Sequence, residues 1–226
     1  VGDLFDHLGC QDVVSFTGSA TTAARLRTHP AVVRHSVRFV AETDSLNSSI
    51  LGPDAAPGTP EFDLFVQEVA REMTVKAGQK CTAIRKALVP RALLADVVGA
   101  LQARLAKTVV GDPRVEGVRM GPLASLAQRE EVLDRVAELR RESELVAGDP
   151  GSFEVSGGDR DRGAFLPPML LLCRDAAASS AVHSVEAFGP VSTIIGYQDT
   201  ADAIALARRG EGSLAGSVFT ADDRIA

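Results

Sequence analysis

Thr59-Pro60-Glu61-Phe62-Asp63-Leu64-Phe65-Val66-Gln67-Glu68-Val69-Ala70-Arg71-Glu72-Met73-Thr74-Val75-Lys76-Ala77-Gly78-Gln79-Lys80-Cys81-Thr82-Ala83-Ile84-Arg85-Lys86-Ala87-Leu88-Val89 joins two kinds of element through a polar turn. Phe62, Phe65, Val66, Val69, Ala70, Met73 and Ala77 recur at i, i+3, i+4, i+7, i+8, i+11 and i+15, which is one apolar face of a helix. Thr59 supplies a capping hydroxyl, Pro60 falls where a helix tolerates proline, and Gly78 is the expected stop. Residues 84–89 then read as an apolar strand. Working outward, strands are expected at 12–16, 36–41 and 46–51, with a helix at 20–27 and a Pro/Gly loop at 53–60. Downstream, Leu94, Val97, Val98, Leu101 and Leu105 share one helical face, and Val132, Leu133 and Val136 another. Strands at 144–147, 169–172, 191–197 and 215–219, with a helix at 202–208, continue the pattern. Residues 149–162, rich in Gly and Asp, read as a loop or hairpin. Alternating helices and apolar strands predict a layered α/β domain with a mostly parallel sheet.

The chain has 226 residues, enough for one large domain or a domain with part of another. No apolar run approaches the roughly 18 residues of a membrane span, so no membrane partner is expected. The net charge is −6 and aromatic residues are 4%, which argues against nucleic acid as a partner. Cys10, Cys81 and Cys173 are odd in number and far apart, which argues against a disulfide framework or a metal site and for a reducing cytoplasm. The chain starts at Val1 without a basic leader or a methionine, so it reads as a piece of a longer chain.

Cys81 is the first candidate for chemistry. A lone cysteine is more often a small buried hydrophobe. Its neighbours Gly78, Gln79, Lys80 and Thr82 are not core residues, however, and a thiol at a helix-to-strand junction is well placed to be a nucleophile. Glu42 ends an expected strand; such glutamates are usually solvated, and a base would need only to reach the reacting water. Phe16-Thr17-Gly18-Ser19 joins a strand to a helix, where N–H groups and a hydroxyl can meet a phosphate or simply make a turn. Glu186-Ala187-Phe188-Gly189-Pro190 precedes a strand and by itself is a turn with an apolar plug. His183 reads as a packed or surface histidine rather than an acid–base group.

In this order, Phe16-Thr17-Gly18-Ser19, Glu42, Gly78-Gln79-Lys80-Cys81-Thr82-Ala83 and Glu186-Ala187-Phe188-Gly189-Pro190 resemble the aldehyde dehydrogenase superfamily, over essentially the whole chain. The finer texture, in residues 41–47, 71–85 and 182–190, is similar to the dehydrogenase domain of the PaaZ-type bifunctional proteins of phenylacetate degradation. The resemblance implies an NADP- (or NAD-) dependent oxidation of an aldehyde, in that subfamily a CoA-linked semialdehyde. It implies Cys81 as the nucleophile that carries the acyl group as a thioester, and Glu42 as the base for the water that releases it. It implies Gly18 and Ser19 beside the cofactor pyrophosphate, Thr43 at the nicotinamide amide, Glu186 on the nicotinamide ribose and Phe188 packed against that ribose. Residues 1–45 would be the end of the cofactor-binding domain and 46–226 a three-layer α/β/α catalytic domain incomplete at its C-terminus, with base and nucleophile on opposite walls of a cleft. The full-length protein would be a homo-oligomer.

Three departures from the family pattern stand out. A Gly-Gly-Lys run after the base is replaced by Asp44-Ser45-Leu46, a change the PaaZ-type proteins share. Ala23 replaces a glycine of the cofactor helix. The family's oxyanion asparagine and adenine-binding segment have no counterpart here, so these 226 residues alone are expected to be inactive, since one lost oxyanion donor costs about 3–4 kcal/mol of transition-state stabilisation. Two other readings stay open: a CoA-acylating enzyme, which generally lacks the base at Glu42, and a truncated, non-catalytic binding or assembly module.

Overall fold

The computed structural model describes residues 2–226, which divide into two units, one ending at Asp44 and one running from Ser45 to Ala226. In the first, α1 (Gly2–Phe5), β1 (Val13–Thr17), α2 (Ala20–Arg27), α3 (Pro30–Arg34) and β2 (Arg38–Glu42) follow in order. β1 and β2 pair in parallel with Thr17 opposite Glu42. Phe5, Leu26, Val32 and Val37 form the small core. The Ser19 hydroxyl caps α2 by accepting the Thr22 N–H. The five-residue α3 was not expected from the sequence, because one turn is too short to show a periodic face.

The second unit contains β3 (Ser48–Leu51), α4 (Pro60–Thr74), β4 (Lys86–Pro90), α5 (Leu94–Leu105), α6 (Leu126–Leu139), β5 (Glu144–Ala147), β6 (Met169–Cys173), β7 (Val191–Tyr197), α7 (Thr200–Arg208) and β8 (Gly216–Phe219). The sheet order is β5-β6-β7-β4-β3-β8, and only the β5–β6 pair is antiparallel. Side chains of the central strands alternate between two cores, as the period of a strand requires. Leu88, Met169, Leu171, Val191 and Ile195 pack with Val132 and Val136 of α6 and Leu206 of α7. Ala87, Val89, Leu170, Leu172 and Ile194 pack with Phe65, Val69 and Met73 of α4 and Val97 and Leu101 of α5. The expected three-layer α/β/α arrangement with a mostly parallel sheet is therefore present. Residues 149–162 are loop, tied to the body by a bridge between Gly111 and Ser156.

One element differs from its expectation. The periodic face runs to Ala77, but α4 stops at Thr74. Val75 is extended (φ −64°, ψ 127°), and Lys76, Ala77 and Gly78 are all left-handed, with φ of 54°, 50° and 67°. Ala77 is thereby taken off the α4 face and packs in the opposite core, against the layer that holds Leu88. Left-handed backbone costs roughly 1–2 kcal/mol per non-glycine residue, so the turn must be held by its surroundings.

Candidate active site

The loops that carry the candidate residues of the larger unit enter the sheet at one edge. Cys81 precedes β4, Ser45 and Asn47 precede β3, Glu186–Pro190 precedes β7, and Leu214 and Ala215 precede β8. These four strands are neighbours and parallel, so their amino ends lie together. The Cys81 thiol is exposed, as is Cys10, whereas Cys173 is buried. Gly78 makes the left-handed turn possible and touches a second loop: a β-carbon there would overlap the Gly189 carbonyl.

Two buried side chains hold the Cys81 turn from below. Arg85, just before β4, donates from Nη2 to Gly78 O (2.9 Å), from Nη1 to Gly189 O (2.8 Å) and from Nε to Glu186 Oε1 (3.2 Å). Burial draws the Arg85 pKa down and the Glu186 charge opposes it. Asn47 donates from Nδ2 to Cys81 O (2.8 Å) and Ala83 O (3.0 Å). Its Oδ1 accepts from Ser45 Oγ (2.7 Å), Leu214 N (2.9 Å) and Ala215 N (2.8 Å). Gln79 Oε1 accepts from Ala124 N, and Lys80 pairs with Glu72.

Glu186 also accepts from Ser45 N–H (3.1 Å), and the Phe188 ring is partly exposed with the Arg85 guanidinium 5.6 Å from its centroid. An acceptor-only carboxylate near a partly exposed ring suits a sugar diol, which donates O–H and presents an apolar face. The fit to the ribose that the resemblance implies is partial, because the Glu186 side chain is 8% exposed and its two oxygens already accept from Arg85 and Ser45.

In the smaller unit, Glu42 is exposed at the carboxyl end of β2, and its carbonyl accepts from Gly18 N–H (3.1 Å). Gly18, Ser19 and Thr43 flank it at the same ends of the parallel pair, where α/β sheets commonly bind ligands. The fit to a pyrophosphate is partial. The N-terminus of α2 is exposed, but the Asp44 carboxylate accepts from Ala20 N–H (2.9 Å) and places a negative charge there already. His183 is buried, and Nε2 lies 3.0 Å from Ala176 O, so it serves packing. No three metal-binding side chains cluster among the described residues.

Local sequence assigns no role to Asn47 or Arg85, and marks Ser45 only as part of the Asp44-Ser45-Leu46 departure. A signal was present: Asn47, Arg85 and Lys86 are polar residues inside expected buried strands, and such residues require partners.

Residues 3–226 match the profile of the aldehyde dehydrogenase family. A 3,4-dehydroadipyl-CoA semialdehyde dehydrogenase from Aromatoleum evansii is 56% identical over 220 residues, 97% of this chain and 43% of that protein. The crystal structure of betaine aldehyde dehydrogenase from Staphylococcus aureus in complex with NAD+ superposes with a TM-score of 0.81 at 27% identity, covering 95% of this chain and 41% of that one. Aldehyde dehydrogenase C from Pseudomonas syringae, a mutant in complex with NAD+ and octanal, gives 0.79 at 25% identity over 100% and 44% of the two chains. The chain thus spans less than half the length of these relatives.

Proposed function

The chain belongs to the aldehyde dehydrogenase family, and on that premise we propose that it supplies the nucleophile and the hydrolytic base for oxidation of a CoA-linked semialdehyde to its acid. The observation that carries this is the exposed Cys81, three residues past a left-handed turn that buried Arg85 holds at Gly78 O, with its own carbonyl held by buried Asn47. The CoA-linked substrate is supported by the name of the 56% identical relative, and phenylacetate catabolism by the resemblance of residues 41–47, 71–85 and 182–190.

In this reading Cys81, as the thiolate, bonds through Sγ to the aldehyde carbon while the carbonyl π pair moves to oxygen; re-forming C=O as the C–H hydrogen leaves with its electron pair gives the Cys81 thioester. A bound nicotinamide dinucleotide, NAD or NADP, supplies the hydride acceptor. Glu42 takes a proton from water as the water oxygen bonds to the acyl carbon; the C–S bond breaks, and the acid and free thiol result. Of the groups of a bound dinucleotide, Glu186 and Phe188 would hold the ribose, Gly18 and Ser19 the pyrophosphate and Thr43 the nicotinamide amide. The whole protein works as a homo-oligomer in a reducing cytoplasm, where its exposed thiols stay free. These 226 residues by themselves do not turn over, because the adenine-binding segment and oxyanion donor of the family are not among them.

Glu42 separates hydrolysis from transfer to CoA. In the gene product carrying this chain, Glu42→Gln is expected to retain one rapid equivalent of reduced dinucleotide per site. Steady turnover should then fall by roughly 10²–10⁴-fold. If the variant keeps full steady turnover, or turnover of the parent depends on added CoA, the hydrolytic reading fails.

A further inference from the structure

We infer that Asn47 is a positioning residue that sets the Cys81 backbone for acylation, a role that rests on Cys81 being the nucleophile. Asn47 is 2% exposed, and its amide orientation is fixed by its partners. Three donors converge on Oδ1 and two carbonyls face Nδ2, so a flipped amide would oppose like with like on both sides. The two carbonyls are those of Cys81 and Ala83, the nucleophile's own peptide and the one two residues on. The three donors come from Ser45 and from the Leu214–Ala215 segment entering β8. One side chain therefore ties the peptide of the reactive residue to two other loops at the sheet edge. It also explains part of the Asp44-Ser45-Leu46 departure: Ser45 supplies a hydroxyl to orient Asn47 and an N–H to Glu186, and a glycine in its place could supply only the second.

Asn47→Asp separates this role from a merely structural one. It keeps an acceptor for Ser45, Leu214 and Ala215, and turns a second oxygen toward two carbonyls in place of a donor. Such a carboxyl meets three donors on one oxygen and two carbonyls on the other, and it can donate to those carbonyls only when protonated. In the gene product carrying this chain, single-turnover formation of reduced dinucleotide should slow at least about tenfold at pH 8 with little change in KM. The ratio of variant to parent rate should rise as pH falls. A variant at the parent rate, or a deficit that is flat with pH, overturns the inference. Should Asn47→Asp fail to fold, Ser45→Ala decides: slower acylation with unchanged KM supports it, and an unchanged rate overturns it. If the parent forms no acyl-enzyme, the nucleophile reading has failed by itself. Peptide-resolved iodoacetamide labelling then decides the inference: a more than threefold change at Cys81 in Asn47→Asp supports it, and an unchanged rate overturns it.

Discussion

Gly78 and Asp44 show how single residues constrain the proposed site. Gly78 sits at φ +67° against the Gly189 backbone, so Gly78→Ala meets both backbone strain and an overlap with atoms that cannot swing away. It is expected to destabilise by more than about 2 kcal/mol in urea titrations. Gly58→Ala, at φ +92° but in open space, should cost only the backbone strain of roughly 1–2 kcal/mol. Equal losses at the two sites would mean that the Gly78–Gly189 approach carries no weight. Asp44 stands at the N-terminus of α2, where a pyrophosphate is proposed to bind. Asp44→Asn removes a competing negative charge from that end of the helix. Dinucleotide Kd in the gene product should therefore tighten by about two- to fivefold at low salt, corresponding to about 0.5–1 kcal/mol, and the gain should shrink as salt is added. Weaker binding would show that Asp44 helps to shape the site.

At the scale of elements, the two candidate regions lie at opposite kinds of sheet edge. Glu42 and Gly18 are at the carboxyl ends of β1 and β2, the usual place for a ligand in a parallel sheet. Cys81 is at the amino end of β4, where α4 arrives by its C-terminus and the helix dipole does not favour a thiolate. That edge therefore relies on side-chain hydrogen bonds, and two buried cations stand side by side there, Arg85 just before β4 and Lys86 as its first residue. Arg85 serves the Cys81 turn, while Lys86 is buried and donates to Leu206 O (3.0 Å) and Ala207 O (3.3 Å) in the last turn of α7. Burial, with Arg209 adding to it, pushes the Lys86 pKa down to about 8. An unfolded lysine titrates near 10.4, so between about pH 8 and 10.4 the unfolded chain binds more protons and stability should rise with pH. Lys86→Met should lose that rise in urea titrations across the window; a slope equal to the parent's would contradict it. Most of these elements were legible in the sequence because packing obeys the periods of helix and strand, as the α4 face and β5 and β7 show. The end of α4 was not legible. Ala77 keeps the helical spacing, but Arg85 and the Gly189 contact hold its neighbour Gly78 in a left-handed turn, and those partners lie about 100 residues apart in sequence in the second case. Asn47 was missed for the same reason, since its partners come from residues 45, 81, 83, 214 and 215.

At the scale of the whole molecule, the chain comprises a parallel strand pair that carries Glu42 and a six-stranded layered unit that carries Cys81. Each candidate residue is held by contacts within its own unit: Glu42 by the β1–β2 register, Cys81 by Arg85 and Asn47. The proposed chemistry divides in the same way, with covalent capture assigned to one unit and hydrolysis to the other. The family order of the motifs was legible from local sequence, whereas the network beneath Cys81 depended on tertiary structure. Whether Cys81 carries the acyl group and Glu42 releases it is decided by mass spectrometry of the gene product quenched in acid after mixing with dinucleotide and a CoA-linked semialdehyde. An acyl adduct is expected on the Cys81 peptide, transient in the parent, accumulating in Glu42→Gln and absent in Cys81→Ala. Reduced dinucleotide produced at the parent rate by Cys81→Ala, or an adduct whose lifetime Glu42→Gln leaves unchanged, would contradict this assignment.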